Sequence, residues 1–142
     1  MHFEYQIEGG DFSTAGTISS NVKKFLKQLN VDGSIIKRTV VALYEAEVNV
    51  VAHAFSGIVE VDYFEDKIQI KLIDKGPGIS DINRAMQAGF STASPAVREM
   101  GFGAGMGLPN IKNNTDELNI ESKVGVGTTL LMVNFFQNKL SS

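Results

Sequence analysis

Apolar positions along the chain follow two rhythms, and the changes of rhythm mark out its elements. Phe3, Tyr5 and Ile7 alternate with Glu4, Gln6 and Glu8, the period of a strand with one buried face, and Gly9 and Gly10 close it. Val22, Phe25, Leu26 and Leu29 fall at helical spacing, with Ser19 or Ser20 as the cap and an end expected near Gly33. A longer helix is predicted from a cap at Ser34, its buried face made by Ile36, Val40, Leu43, Val50 and Ala54 and interrupted by Glu47. From Gly57, two alternating runs joined around Glu65, Asp66 and Lys67 read as a hairpin. Its second strand buries Ile68, Ile70 and Leu72 and presents Asp74 where it stops.

Gly76, Pro77 and Gly78 form the next turn; the glycines allow a close approach that a Cβ would block. A short helix is predicted from Ser80 or Asp81, with Ile82, Ala85 and Met86 apolar. Phe90 to Gly105 has no settled period, and a loop of that length inside a domain usually serves function. The run "MGLPNIKNN" reads as a helix that tolerates Pro109 in its first turn, and "DELNIESK" and "TLLMVNFF" as strands joined through "VGVGT". Residues 137–142 read as a frayed tail. This order implies a two-layer α/β sandwich, with a mixed or antiparallel sheet covered by helices on one face.

Composition narrows the function more than the fold. The 142 residues suit one domain, and 43% hydrophobic with 20% charged residues is a globular balance. No apolar run approaches the roughly 20 residues that span a bilayer, and the N-terminus lacks a signal core, so a cytoplasmic protein without a membrane partner is expected. Cysteine is absent, which removes disulfides, thiolate metal sites and cysteine nucleophiles. A net charge of −3 with scattered lysines argues against nucleic acid.

Three segments carry candidate chemistry. Glu45 and Asn49 share one helix face, among residues so apolar that buried polar groups there need partners, which a metal and phosphates would supply. Asp74 ends a strand before a glycine turn. In "GFGAGMG", Gly101, Gly103, Gly105 and Gly107 alternate before a helix, where free N–H groups and the helix N-terminus suit an anion. The Walker, Rossmann and eukaryotic kinase strings are missing.

Together the segments resemble the nucleotide site of the GHKL ATPase superfamily, most closely its anti-sigma-factor serine/threonine kinase branch, over about Ile18 to Val133. The resemblance implies the Bergerat ATP-binding fold across residues 1–142, with 1–17 an N-terminal strand region and 89–105 an ATP lid. It implies that Asn49 holds Mg²⁺, that Glu45 orients or deprotonates the attacking hydroxyl, and that Asp74 accepts from the adenine amine. Nucleotide contacts would extend to Gly76, Gly78, Ile79, the glycines at 101, 103, 105 and 107, Met106, Leu108 and Thr128. Arg98 in the lid and Lys112 are further candidates for the phosphates, and His53 is read as packing or support. Tyr44 and Glu47 depart from the branch, where a small and an apolar residue are common.

The function so implied is phosphorylation of a serine or threonine on a small antagonist-like protein with Mg-ATP, by a homodimer that in some relatives also holds a sigma factor. A nucleotide-gated binding module with little phosphotransfer is the alternative.

Overall fold

The computed structural model describes residues 1–79, 86 and 107–136. The region predicted as the short helix from Ser80, the lid and the tail 137–142 lie outside the described residues, Met86 excepted. The described residues form five strands: β1 His2–Glu8, β2 Ser56–Tyr63, β3 Lys67–Lys75, β4 Glu117–Lys123 and β5 Gly127–Phe135. Among the described residues all pairings are antiparallel, in the order β1-β2-β3-β5-β4, so of the two expected kinds of sheet the antiparallel one is found there. Helices α1 Thr17–Gln28, α2 Gly33–His53 and α3 Gly107–Asn113 supply the second layer.

Both expected hairpins form, but β5, not β4, pairs with β3. The burial of each strand explains the order. In β4 Glu117, Asn119, Glu121 and Lys123 are exposed and alternate with half-buried Leu118, Ile120 and Ser122, which suits an edge. In β5, Leu130, Met132, Val133 and Asn134 are all buried, as an interior strand requires. Pairing Ile73 with Thr129 brings the start of β5 beside the end of β3. That placement builds half of the site.

The core lies between the sheet and α2. Leu43, Ala46 and Val50 of α2 meet Val59, Val61, Ile70 and Leu72 of the sheet, with Val22 and Leu26 of α1 and Ile111 of α3 completing the cluster. No described helix is long and apolar enough to cross a membrane.

The helix ends differ from expectation. Helix α1 starts behind Gly16, whose φ of 93° is left-handed, and no side chain of its own caps it. Ser19 lies inside the helix, where its hydroxyl donates to the Gly16 carbonyl. Three of the free N–H groups are taken by Glu47: Gly16 and Ile18 donate to Oε2 at 2.8 and 3.3 Å, and Ser19 donates to Oε1 at 3.2 Å. The cap comes from another helix, which is why no local serine marks it. The other end closes at Asn30, with φ of 58°, and the Val31 N–H reaches the Leu26 carbonyl, leaving Leu29 exposed. Gly33 opens α2, and Asp32, not Ser34, is its cap, accepting from the Ser34 N–H at 2.9 Å.

A polar knot around the buried Asn134 and Thr39 fixes the far end of α3. Asn134 accepts the Asp116 N–H and donates to Thr39 Oγ1 and to the Asn114 carbonyl, while the Asp116 carboxylate accepts from Arg38 and from the Phe135 N–H. With its C-terminal end tied to β5 and α2, α3 holds its first residue, Gly107, against Asn49 near the C-terminal end of α2.

Candidate functional site

The site has a helical side and a sheet side. On the helical side, Glu45 and Asn49 lie along the face of α2 that meets α3. Both are half-buried. Asn110 Nδ2 donates to Glu45 Oε1 at 3.3 Å, a long and weak bond that leaves the other carboxylate oxygen to other partners. Gly107 sits directly on the Asn49 amide: a Cβ there would stand 2.7 and 2.9 Å from its nitrogen and oxygen. The glycine thus leaves the amide room that any larger residue would take.

On the sheet side, Asp74 lies one residue before the end of β3, paired with Gly57. Its Oδ1 accepts the Thr128 N–H at 3.0 Å. Burial pushes its carboxyl above the ordinary carboxylate range, and the Thr128 N–H opposes the rise. Thr128 is buried, and its Oγ1 lies 2.8 Å from Ser122 Oγ. The Ser122 hydroxyl also accepts the Ile79 N–H at 2.7 Å, fastening the end of the glycine turn to β4.

The two sides adjoin at the C-terminal end of α2. A Cβ on Gly76 would stand 3.0 Å from Ala54 Cα, and one on Gly78, whose φ is 75°, would stand 2.4 Å from the Lys123 carbonyl. The room at both glycines is therefore taken up by the chain itself, which packs the turn under the helix end and against the β4–β5 hairpin. Gly127 obeys the same constraint, since a Cβ there would meet the Asp74 carbonyl at 2.1 Å.

Of the residues singled out in the sequence, α2 and α3 bring Glu45, Asn49 and Gly107 together, and β3 and β5 bring Asp74 and Thr128 together with the turn from Gly76 to Ile79. Leu108 is buried in the core, and Lys112 is exposed in the last turn of α3. His53 is half-buried at the end of α2, and burial lowers its pKa. Gly101, Gly103, Gly105, Met106 and Arg98 lie outside the described residues. Sequence reasoning missed Asn110, Ser122 and the cap made by Glu47. Glu47 alone gave a signal, as a charge on an otherwise apolar helix face.

Residues 11–134 match the profile of the histidine kinase-like ATPase domain. The chain belongs to that family. Among similar proteins is an anti-sigma F factor of Caldanaerobacter subterraneus subsp. tengcongensis, 35% identical over 95% of this chain and 92% of its own. The serine/threonine-protein kinase RsbT of Bacillus subtilis is 32% identical over 89% of this chain and 90% of its own. Among solved structures, the RsbU and RsbW domains of Rv1364c from Mycobacterium tuberculosis superpose with a TM-score of 0.64 at 17% identity, over 94% of this chain and 32% of that longer one. The mycobacterial sensor histidine kinase MprB gives 0.52 at 16% identity, over 95% of this chain and 97% of its own. These two likenesses speak for the fold alone: helices layered on an antiparallel sheet.

Proposed function

We propose that this histidine kinase-like ATPase domain is a serine/threonine-protein kinase that uses Mg-ATP and acts on a small regulatory protein. One observation carries the reading: Asn49, its amide cleared by Gly107, stands one turn from Glu45, on the face of α2 that ends beside the Asp74 turn. The amide oxygen suits Mg²⁺, which prefers hard oxygen ligands, and the half-buried Glu45 carboxylate beside it suits a proton or a cation. When bound, Mg-ATP supplies the phosphoryl group that is transferred.

The chain's own residues then divide the work. Asp74 accepts from the adenine amine while its other acceptor site is held by Thr128. Asn49 would hold the Mg²⁺ through its amide oxygen, and the ion would supply charge neutralisation at the phosphates. Glu45 accepts the proton of the incoming serine or threonine hydroxyl, and the Asn110 amide, which donates to its carboxylate from α3, supports that reading. Positioning and charge, with one proton acceptor, are enough for phosphoryl transfer. The names of the relatives, anti-sigma F factor and serine/threonine-protein kinase, support a protein substrate. By the same likeness, a sigma factor is proposed as a further partner, with a homodimer in the cytoplasm as the working form.

The test is transfer of label from γ-labelled ATP to proteins encoded beside this one. Phosphoserine or phosphothreonine on one of them, lost in Glu45→Ala, is the expected result. Nucleotide that alters partner affinity while no label moves would instead make the chain a nucleotide-gated binding module.

A further inference from the structure

The Ser122 hydroxyl has one proton and three close partners. The Ile79 N–H, at 2.7 Å, can only give a hydrogen bond, and the Gly127 carbonyl, at 3.2 Å, can only receive one. The third partner is Thr128 Oγ1 at 2.8 Å, where either oxygen could be the donor. One assignment satisfies all three contacts: Ser122 gives its proton to Gly127, and Thr128 gives its proton to Ser122. Ser122 then has both lone pairs and its proton engaged, and Thr128 Oγ1 is left with lone pairs alone.

We propose that Ser122 is a positioning residue for nucleobase selection: by taking the proton of Thr128, it turns that hydroxyl into an acceptor-only neighbour of Asp74. The proposal rests on the reading of Asp74 as the adenine acceptor and deepens it. Ionised Asp74 is itself acceptor-only, and its tie to Thr128 runs through the backbone N–H, so the threonine side chain is not needed to hold it. Acceptors on two residues joined by that N–H bond would suit the two N–H groups of an exocyclic amine and repel a carbonyl oxygen. If the Thr128 proton were free it could turn outward and serve a carbonyl, and selection against 6-oxopurines would fall to Asp74 alone. Ser122 and Thr128 face each other across the β4–β5 ladder, and the same hydroxyl holds Ile79, so the base selector and the end of the glycine turn share one fastening.

The experiment measures ATP and inosine triphosphate affinities by titration with Mg²⁺, since these differ at the purine 6-position in amine against carbonyl. Ser122→Ala is expected to lower the ATP-over-ITP preference about tenfold, the size of one hydrogen bond. Ser122→Thr, which keeps the hydroxyl, is expected to retain it. Adding Ser122→Ala to Thr128→Val is expected to change the preference no further, because the serine acts through the threonine hydroxyl. An equal weakening of both nucleotides in folded Ser122→Ala overturns the proposal and leaves Ser122 a mere brace for the turn. If Ser122→Ala does not fold, Thr128→Val decides: an unchanged preference overturns the proposal, and a lowered one, with Ser122→Thr unaffected, supports it. ATP affinity unchanged in Asp74→Asn would show that the adenine reading itself has failed, and the proposal with it.

Discussion

Two glutamates two residues apart on α2 have opposite surroundings. Glu47, on the face toward α1, is 2% exposed and accepts three backbone N–H groups. Glu45, on the face toward α3, is half-buried and receives one long bond from Asn110. A carboxylate buried under three N–H donors of its own fold is out of a ligand's reach, whereas one held loosely at an edge keeps oxygen lone pairs for an incoming proton. The same residue type therefore serves folding on one side of the helix and is available for chemistry on the other. Tyr44 belongs with Glu47: its ring lies over Gly16, 3.2 Å from where a Cβ would be. The two positions that depart from the anti-sigma kinase pattern thus form one local unit around the start of α1.

The comparison is tested most severely by removing each carboxylate in turn. Glu45→Ala should reduce phosphotransfer by about 10²- to 10⁴-fold, the range lost with a general base, while the unfolding midpoint stays put. Single-turnover phosphorylation beside urea denaturation would check it, and a large loss of stability in Glu45→Ala would erase the distinction between the two glutamates. Glu47→Ala should do the reverse. It strands three N–H groups at the start of α1 and should cost about 3 kcal/mol or more of stability, read as a lowered urea midpoint. Any Glu47→Ala protein that remains folded at low temperature should still bind nucleotide, because the lost bonds lie on the opposite face of α2.

An intermediate effect is expected from Gly107→Ala. The new methyl group would collide with the Asn49 amide, which is the end of a side chain and can swing aside, so the fold should survive. The amide would then leave the position in which it can meet a metal. We expect Mg²⁺-dependent ATP affinity to fall about tenfold, with little change in unfolding. Titrations with and without Mg²⁺ separate the cases: equal weakening in both would mean that Gly107 serves α3 packing and not Asn49. Gly127→Ala offers the contrast, since its methyl group would meet the Asp74 backbone carbonyl, which cannot move aside without breaking the β3–β5 ladder.

These differences also show which parts of the molecule local patterns could reveal. Strands, helices and both hairpins were legible because alternation and helical spacing are properties of short stretches. The strand order was not: the hairpin pattern of β4 and β5 leaves open which of them meets β3, and only the fuller burial of Leu130, Met132 and Val133 decides it. Caps made by residues far along the chain were likewise hidden. Glu47 stands out in the sequence only as an interruption, because its partners at Gly16, Ile18 and Ser19 lie about thirty positions away. Glu45, Asn49, Asp74 and Gly107 could be picked out through family resemblance. Ser122 and Asn110 could not, since a serine in an edge strand and an asparagine in a short helix carry no pattern of their own. Gly76 and Gly78 read as room for a ligand, whereas their immediate neighbours are Ala54 and Lys123 of the chain itself.

The smallest effect concerns Asp74, the third carboxylate, which lies between the two glutamates in character. It is half-buried and accepts one N–H, and burial raises its pKa over the opposing effect of that bond. A raised folded pKa means that the folded chain binds the proton more tightly than the unfolded chain. The resulting stabilisation is complete below the unfolded carboxylate pKa and is lost as pH rises through the folded value. Asp74→Asn keeps an oxygen for the Thr128 N–H and removes the ionisation. Without nucleotide, the variant should therefore unfold at slightly higher urea than the parent at neutral pH, and the gap should close as the solution is acidified below the unfolded value. With ATP present the order should invert, because only the parent gains stability from the bound nucleotide. Urea midpoints across this pH range, with and without ATP, give the check. A variant less stable than the parent at neutral pH without nucleotide would place Asp74 with Glu47, as a carboxylate kept for the fold.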